Sequence, residues 1–538
     1  LSLLRPLPAR LTRALSFFIV AAWLVQMGLV VHRVYLRAPV ALAADLASYG
    51  ASAQWRGVYY RGEKLGFVVG QTTPRDGGFE LREDGRLQMT LLGDTTAVQL
   101  KSVARVDQSF ALRSFSFSLD PGSGPTEIAG VLEGRKLELV IKTSSGERRE
   151  TRELPEAPAL SLNLPRQLAA RGLAAGQRFS FSVFDPATLR NAPMEIEVQA
   201  REIVQAMGRP VPAFRIQGNF GGVVTKSWVT DVGEIVREES PMGLLVVRET
   251  PDRAQALAVP GQVQMDLLEA AAIVPTPARS IDEPTAVERL LVRLDGASGF
   301  AGPDLQGAGQ RVEGDVFEVR DSRTLAASLD DPPLPRDVGP EPFLESDAPE
   351  IGAEARKAAG DATLPRARAE RLVRYVHALL EKKPTVSLPS ALEVLRTRVG
   401  DCNEHTALYV AMARSLGLPS RVAVGLVYLR GAFYYHAWPE VYAAEGAGRG
   451  LWLPVDPTLN QFPADATHLR LARGGLDRQA AILALVGRAR IEVIDVRVNP
   501  ESKTPLLVGR APTDTRPLAL DLPRRDASGP RCWSSPRR

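Results

Sequence analysis

Between Trp55 and Glu249, apolar residues recur at every second position in one short run after another, among them FELREDGRLQMTL, SFALRSFSFSL, KLELVIKT, RFSFSVFD and FRIQGNF. A period of two sends successive side chains to opposite faces, which suits strands with one buried face and does not suit helices. Phe115, Phe117 and Leu119 alternate in this way with serines. Turn formers such as Asp76-Gly77-Gly78 and Ser145-Gly146 separate the runs, so neighbouring strands can pair as hairpins. The pattern predicts an antiparallel β-rich domain over residues 50–255.

After that the periodicity changes. Residues 256–345 are mixed: AVERLLVRLDG and RVEGDVFEVR read as strands of a small sheet, and DDPPLPRDVGPEPF, Asp330 to Phe343, reads as an extended, exposed Pro-rich linker. In LPRARAERLVRYVHALLEKK, Ala369, Leu372, Val373, Val376, Leu379 and Leu380 share one helical face. SALEVLRTRVG opens on a capping-box pattern, Ser390 with Glu393, and ends at Gly400. A third helix begins at Cys402, carries a stripe of Leu408, Met412 and Leu416, and stops at Gly417-Leu418-Pro419. Three strands, RVAVGLVYL, AFYYHAWPEVY and LWLPVD, complete an α+β domain expected over residues 346–508, followed by a basic tail at 509–538.

Ala14 to Val31 is an uncharged apolar run of 18 residues, with Arg5, Arg10 and Arg13 before it and Arg33 and Arg37 after it. At ~1.5 Å per residue it can just span a hydrocarbon core. It predicts an uncleaved transmembrane helix at 14–31 behind a cytoplasmic segment at 1–13, as in a single-pass bacterial inner-membrane protein with its bulk on the periplasmic or extracytoplasmic side. A cleaved signal peptide, cut near Leu42–Ala44, is the alternative. Seven Arg and three Asp from Arg510 onward give +4, the whole net charge of the chain, so the remainder is neutral. That argues against nucleic acid as a partner, since phosphate binding needs clustered basic charge. No glycine-rich phosphate loop follows a strand, and no cofactor is expected.

Two cysteines exclude a disulfide framework, and a Cys402–Cys532 bond would have to tie down a Pro- and Arg-rich end. Cys402 begins a predicted helix, where the helix N-terminus and a nearby imidazolium could lower its ordinary thiol pKa. His436, on a later strand, can supply the imidazole, and Asp456 in PVDPT can hold that ring in one tautomer. Of the other histidines, His32 borders the apolar run, His377 lies between apolar neighbours on a helix, and His468 reads as part of a polar loop. Each residue by itself has a plainer explanation: a buried Cys as a small hydrophobe, a strand His as a structural group, an Asp before Pro as a turn former.

The segment from about Arg366 to Gly474 resembles the transglutaminase-like superfamily, papain-like enzymes with the order Cys, His, Asp. The match rests on SALEVLRTRVGDCNEHTALYVAMARSLGLPSRVAVGLV, YYHAWPEVY and WLPVDPT and covers about a fifth of the chain. The resemblance implies Cys402 as nucleophile, His436 as general base and acid, and Asp456 as orienting carboxylate. It implies acyl transfer from a protein or peptide substrate through a thioester, either to water, with hydrolysis of peptide or amide bonds, or to an amine, with protein crosslinking. Trp438, His405 and Asn403 are candidates for the substrate pocket, with Trp438 and Trp452 serving as pocket wall and core. Pro439, directly after His-Ala-Trp, departs from the family pattern and points to an edge strand or bulge.

Two other readings stand beside this one. A metal could be held by Cys402, His405, His436 and Asp456, although no second close ligand pair supports it. A non-catalytic envelope protein could use the β-rich domain alone; its order of runs resembles the curved half-barrel sheets of bacterial envelope proteins that hold lipidic or peptide ligands.

Overall fold

The computed structural model describes residues 49–499 except 51, 92–93, 123, 145, 242, 257–271, 277–279, 297–302, 308, 384, 386–387, 389, 447–448, 476–481, 483–484 and 486–487. The expected anchor at 14–31, the alternative cleavage site, Cys532 and the basic tail lie outside the described residues. Among the described residues, no helix is long and apolar enough to cross a membrane.

The alternating runs form one 14-stranded antiparallel sheet. From Glu63–Arg75 to Gly146–Glu153 each strand pairs with its successor, and the same holds from Arg178–Asp185 to Leu244–Glu249. The first strand, Gln54–Tyr60, joins the two series by pairing with Glu63–Arg75 on one side and Leu244–Glu249 on the other. On Leu112–Asp120, Phe115 and Leu119 are buried while Ser116 faces out, as the period-2 pattern requires; Arg113 is exposed at a bulge, where the register with Asp94–Asp107 passes from Ser114 to Leu112. A sheet this wide must curl or divide its core. Its buried side chains gather in separate clusters, one around Ile128, Leu139 and Phe184, another around Val198, Phe181 and Ile216.

Beyond this sheet a single core runs from Ile273 to Val493. Its centre is the helix Cys402–Ser415, surrounded by the helices Pro349–Ala359, Pro365–Leu379 and Ala391–Thr397. On its other side lies a four-stranded sheet in the order Arg449–Pro454, Ala432–Gly446, Ser420–Leu429, His468–Arg473. The sequence led to one buried stripe on the cysteine helix; instead every residue from Glu404 to Arg414 is buried, because the helix is enclosed by three helices and a sheet. The preceding helix ends earlier than Gly400. Arg398 turns left-handed with φ 56°, its N–H bonds the Val394 carbonyl, and Val399–Gly400 then pairs in parallel with Glu381–Lys382.

The small sheet at 287–320 forms, with a fourth strand that local reading missed: Arg490–Val498 pairs along Val287–Asp295. The stretch at 330–343 has many exposed side chains but is no free tether. Asp331 accepts a hydrogen bond from Arg421 at 2.9 Å, and buried Arg414 donates to the Gly339 carbonyl and the Glu341 carboxylate at 2.8 Å each. Phe343 and Leu388 pack into the core of the large sheet, so this segment joins the two architectures.

Pro439 is also corrected. Its strand is interior, paired with Ser420–Leu429 and with Arg449–Pro454, and the register is unbroken through Val422↔Pro439. The Pro439 carbonyl accepts from Val455 N–H just past the end of the ladder with Arg449–Pro454. Backbone N and O of a strand residue face the same neighbour, so the missing N–H falls where no ladder bond is required.

Candidate active site

Asp401 starts the cysteine helix. Its carboxylate accepts the N–H groups of Asn403, at 2.9 Å, and Glu404, while the Glu404 carboxylate accepts the Asp401 N–H at 2.9 Å. This reciprocal cap fixes where the helix begins and leaves the Cys402 N–H as the first helical amide that the cap does not use. Cys402 is a free, half-buried thiol, and the Ala437 N–H, next to His436, donates to its sulfur.

The expected lowering of the thiol is reversed. Burial pushes Cys402 up, and the charges of Asp401, Glu404 and Asp456 push it further, against the opposing Ala437 N–H. The residues that cap the helix bring acidic groups beside the sulfur and outweigh the effect of the helix terminus. Asp401 itself is held well above the usual carboxyl range by burial and by Glu404.

His436 and Asp456 meet through a buried hydrogen bond, with Nε2 donating to Oδ2 at 2.7 Å. A carboxylate can only accept, so the ring carries its proton on Nε2 and presents Nδ1 as the basic nitrogen. Burial alone would raise Asp456, but His436 and His468 together hold it far below the usual carboxylate range. Its other oxygen accepts the Leu459 N–H at 2.9 Å. The turn carrying it is clamped by the helix Pro365–Leu379: His377 Nδ1 donates to the Pro457 carbonyl at 3.0 Å, and Arg374 donates to Asn460 Oδ1 at 2.8 Å.

His468 was misread from sequence. It is no loop residue but the buried first position of an edge strand of the four-stranded sheet, with Nε2 3.2 Å from Asp456 Oδ2 and Nδ1 3.3 Å from Asp465 Oδ1. Alternation in HLRLAR and an Asp three residues before the His were the available signals.

Trp438 is buried and stacks beside the His436 ring, with centroids 6.0 Å apart. Asn403 is half-buried. His405 is fully buried; its Nδ1 donates to the Asp401 carbonyl at 2.7 Å, and burial pushes it toward the neutral form. The four-ligand set of Cys402, His405, His436 and Asp456 does not come together. Among the described residues, the clustered donor atoms belong to His436, Asp456 and His468, and they are engaged with one another as hydrogen-bond partners.

The strand bearing His436 is anchored by buried Glu440. It accepts from Arg421 at 2.8 Å, from Arg473 at 3.1 Å and from Arg470. Burial opposes its ionisation, but the three guanidinium groups hold its carboxyl far below the usual range.

Residues 353–457 match the family described as the transglutaminase-like superfamily, so this part of the chain carries a transglutaminase-like core. Uncharacterized proteins of Mycobacterium bovis and Mycobacterium tuberculosis are 27% identical over 156 residues, which is 26% of this chain and 49% of theirs. The chain thus spans about half the length of the curated relatives it matches. A "putative cysteine protease" of Cytophaga hutchinsonii is similar at 14% identity over 39% of this chain and 87% of its own, with a TM-score of 0.25. A "putative protease" of Parabacteroides distasonis is similar at 12% identity over 68% of this chain and 67% of its own, with a TM-score of 0.20.

Proposed function

We propose that the protein is a thiol acyl-transfer enzyme that hydrolyses peptide or amide bonds in the cell envelope, held at the membrane by residues 14–31. Cys402, His436 and Asp456 form its catalytic triad. The observation that carries this reading is the buried His436–Asp456 hydrogen bond, one residue from the Ala437 N–H that contacts the Cys402 sulfur.

Because the surroundings favour the neutral thiol, His436 acts as a true general base. Its Nδ1 takes the Cys402 proton as the sulfur attacks the substrate carbonyl. The Cys402 N–H supports the oxyanion that develops. The C–N bond then breaks, the leaving amine takes the proton back from His436, and a Cys402 thioester remains. Water, deprotonated by the same nitrogen, attacks the thioester, releasing the acid and restoring the thiol. The large sheet would present the substrate or a partner protein to this site.

The test uses the full chain with Cys532→Ser, mixed with p-nitrophenyl acetate as an activated acyl donor. A burst of p-nitrophenol with one acetyl group on Cys402, absent in Cys402→Ala and strongly slowed in His436→Ala, is expected. Acylation of Cys402 at an unchanged rate without His436 would sink the reading. Peptide substrates supplied with and without a primary amine then separate hydrolysis from crosslinking.

A further inference from the structure

His468 is a buried histidine that the triad does not need, yet it reaches the triad carboxylate. Its Nε2 lies 3.2 Å from Asp456 Oδ2, and its Nδ1 lies 3.1 Å from the Asp465 carbonyl and 3.3 Å from Asp465 Oδ1. Every partner is an acceptor, so both ring nitrogens must carry hydrogen, and a ring protonated twice is an imidazolium. Asp465 is itself fixed, accepting the N–H and hydroxyl of Thr467 at 2.9 and 2.6 Å. The remaining faces meet the Trp438 ring edge-on at 5.1 Å and the His436 ring at 5.9 Å between centroids.

We propose that His468 is a positioning residue of this site: a permanent imidazolium that shares the Asp456 oxygen with His436 and so extends the working range of the base toward acid pH. The proposal rests on the reading of Cys402 and His436 as an acylating pair. Asp456 would otherwise spend its full negative charge on stabilising a protonated His436, which is the form that cannot accept the thiol proton. With a fixed positive charge already on the same oxygen, a second positive charge about 6 Å away is harder to place. The same ion pair keeps Asp456 ionised in acid, so the carboxylate still orients the ring.

Other charges support this assignment. Burial alone would favour neutral His468, but its bonds to Asp456 and Asp465 push it up to about 10. Among the described residues, the charge of Asp456 is also felt at Lys382, Cys402 and His405. All three remain in place in the variants below.

The experiment follows the rate of the acetyl burst against pH in the full chain carrying Cys532→Ser, alone and with His468→Gln. Glutamine can still donate to Asp456 but cannot charge. The acid limb of the rate is expected to move up by about one to two pH units. His468→Asn, which likewise offers an amide N–H but no charge, should move it in the same direction, and carries the test if the glutamine variant does not fold. An acid limb that stays in place or moves down in a folded variant would overturn the proposal and make His468 purely structural. Loss of the His436 requirement in the parent chain would instead overturn the reading of the pair, so the two failures are distinguishable.

Discussion

Gly400 stands so close to Glu404 that a Cβ built on residue 400 would lie 2.2 Å from Glu404 Cβ and 2.7 Å from its Cγ. The missing side chain lets Glu404 fold back and accept the Asp401 N–H, which sets the start of the helix and the position of Cys402. Gly400→Ala should therefore break the cap. We expect a loss of about 1–3 kcal/mol in stability and a slower acetyl burst, read by urea unfolding and stopped-flow absorbance. A variant with parental values in both would mean that Glu404 is not needed to place the thiol.

Asp456→Asn removes the charge that fixes the His436 tautomer while keeping the side-chain shape. The amide would face two histidine N–H groups with one oxygen. Burst rates should fall by roughly 10³-fold or more, with the helical and sheet signals of circular dichroism kept. A fall of less than tenfold in a folded variant would show that Asp456 does not orient the base.

Glu440→Gln leaves Arg421, Arg470 and Arg473 gathered around a neutral group in the interior. Breaking a buried charge cluster on one side costs about 3–5 kcal/mol. The midpoint of denaturation should drop accordingly, because the cluster ties the His436 strand to Asp331 and, through Arg470, to the Asp304 and Gln306 carbonyls. Unchanged stability would mean that water replaces these bonds.

The charge on His468 also predicts a pH dependence of stability. Its folded-state pKa, about 10, lies above the unfolded value of ~6.5. Its contribution is therefore fully present below ~6.5 and is lost as pH rises through about 10. The parent should exceed His468→Gln by something on the order of 3 kcal/mol in mild acid, and the gap should close on going alkaline. Asp456 and Glu440, both depressed, act in the opposite sense: their contributions are present above the ordinary carboxyl range and fail at strongly acid pH. A parent–variant gap that stays constant between neutral pH and pH ~10 would argue against a charged His468.

Much of this molecule is written in short stretches. Period-2 runs specify the strands of the large sheet because each hairpin is closed by its own turn. The cap at Asp401 and the apolar faces of the helices after residue 346 are equally local. The pairing of Arg490–Val498 with Val287–Asp295 has no such signature, since it joins strands far apart in the chain. Pro439 misled for a related reason: a proline tells where an N–H is missing, while the end of the neighbouring ladder decides whether that N–H was wanted.

The sequence by itself determined the strand and helix periodicities, the start of the cysteine helix, and the order of thiol, imidazole and carboxylate along the chain. Tertiary structure decided the electrostatics. It brought His468 and His436 to the same oxygen of Asp456 and set acidic groups around the half-buried Cys402. Hydrogen-bonding periodicity and capping act between near neighbours and can be read from their spacing. Charge acts through space and depends on what burial has excluded, so its sign at a given atom is fixed only when the chain has closed around it.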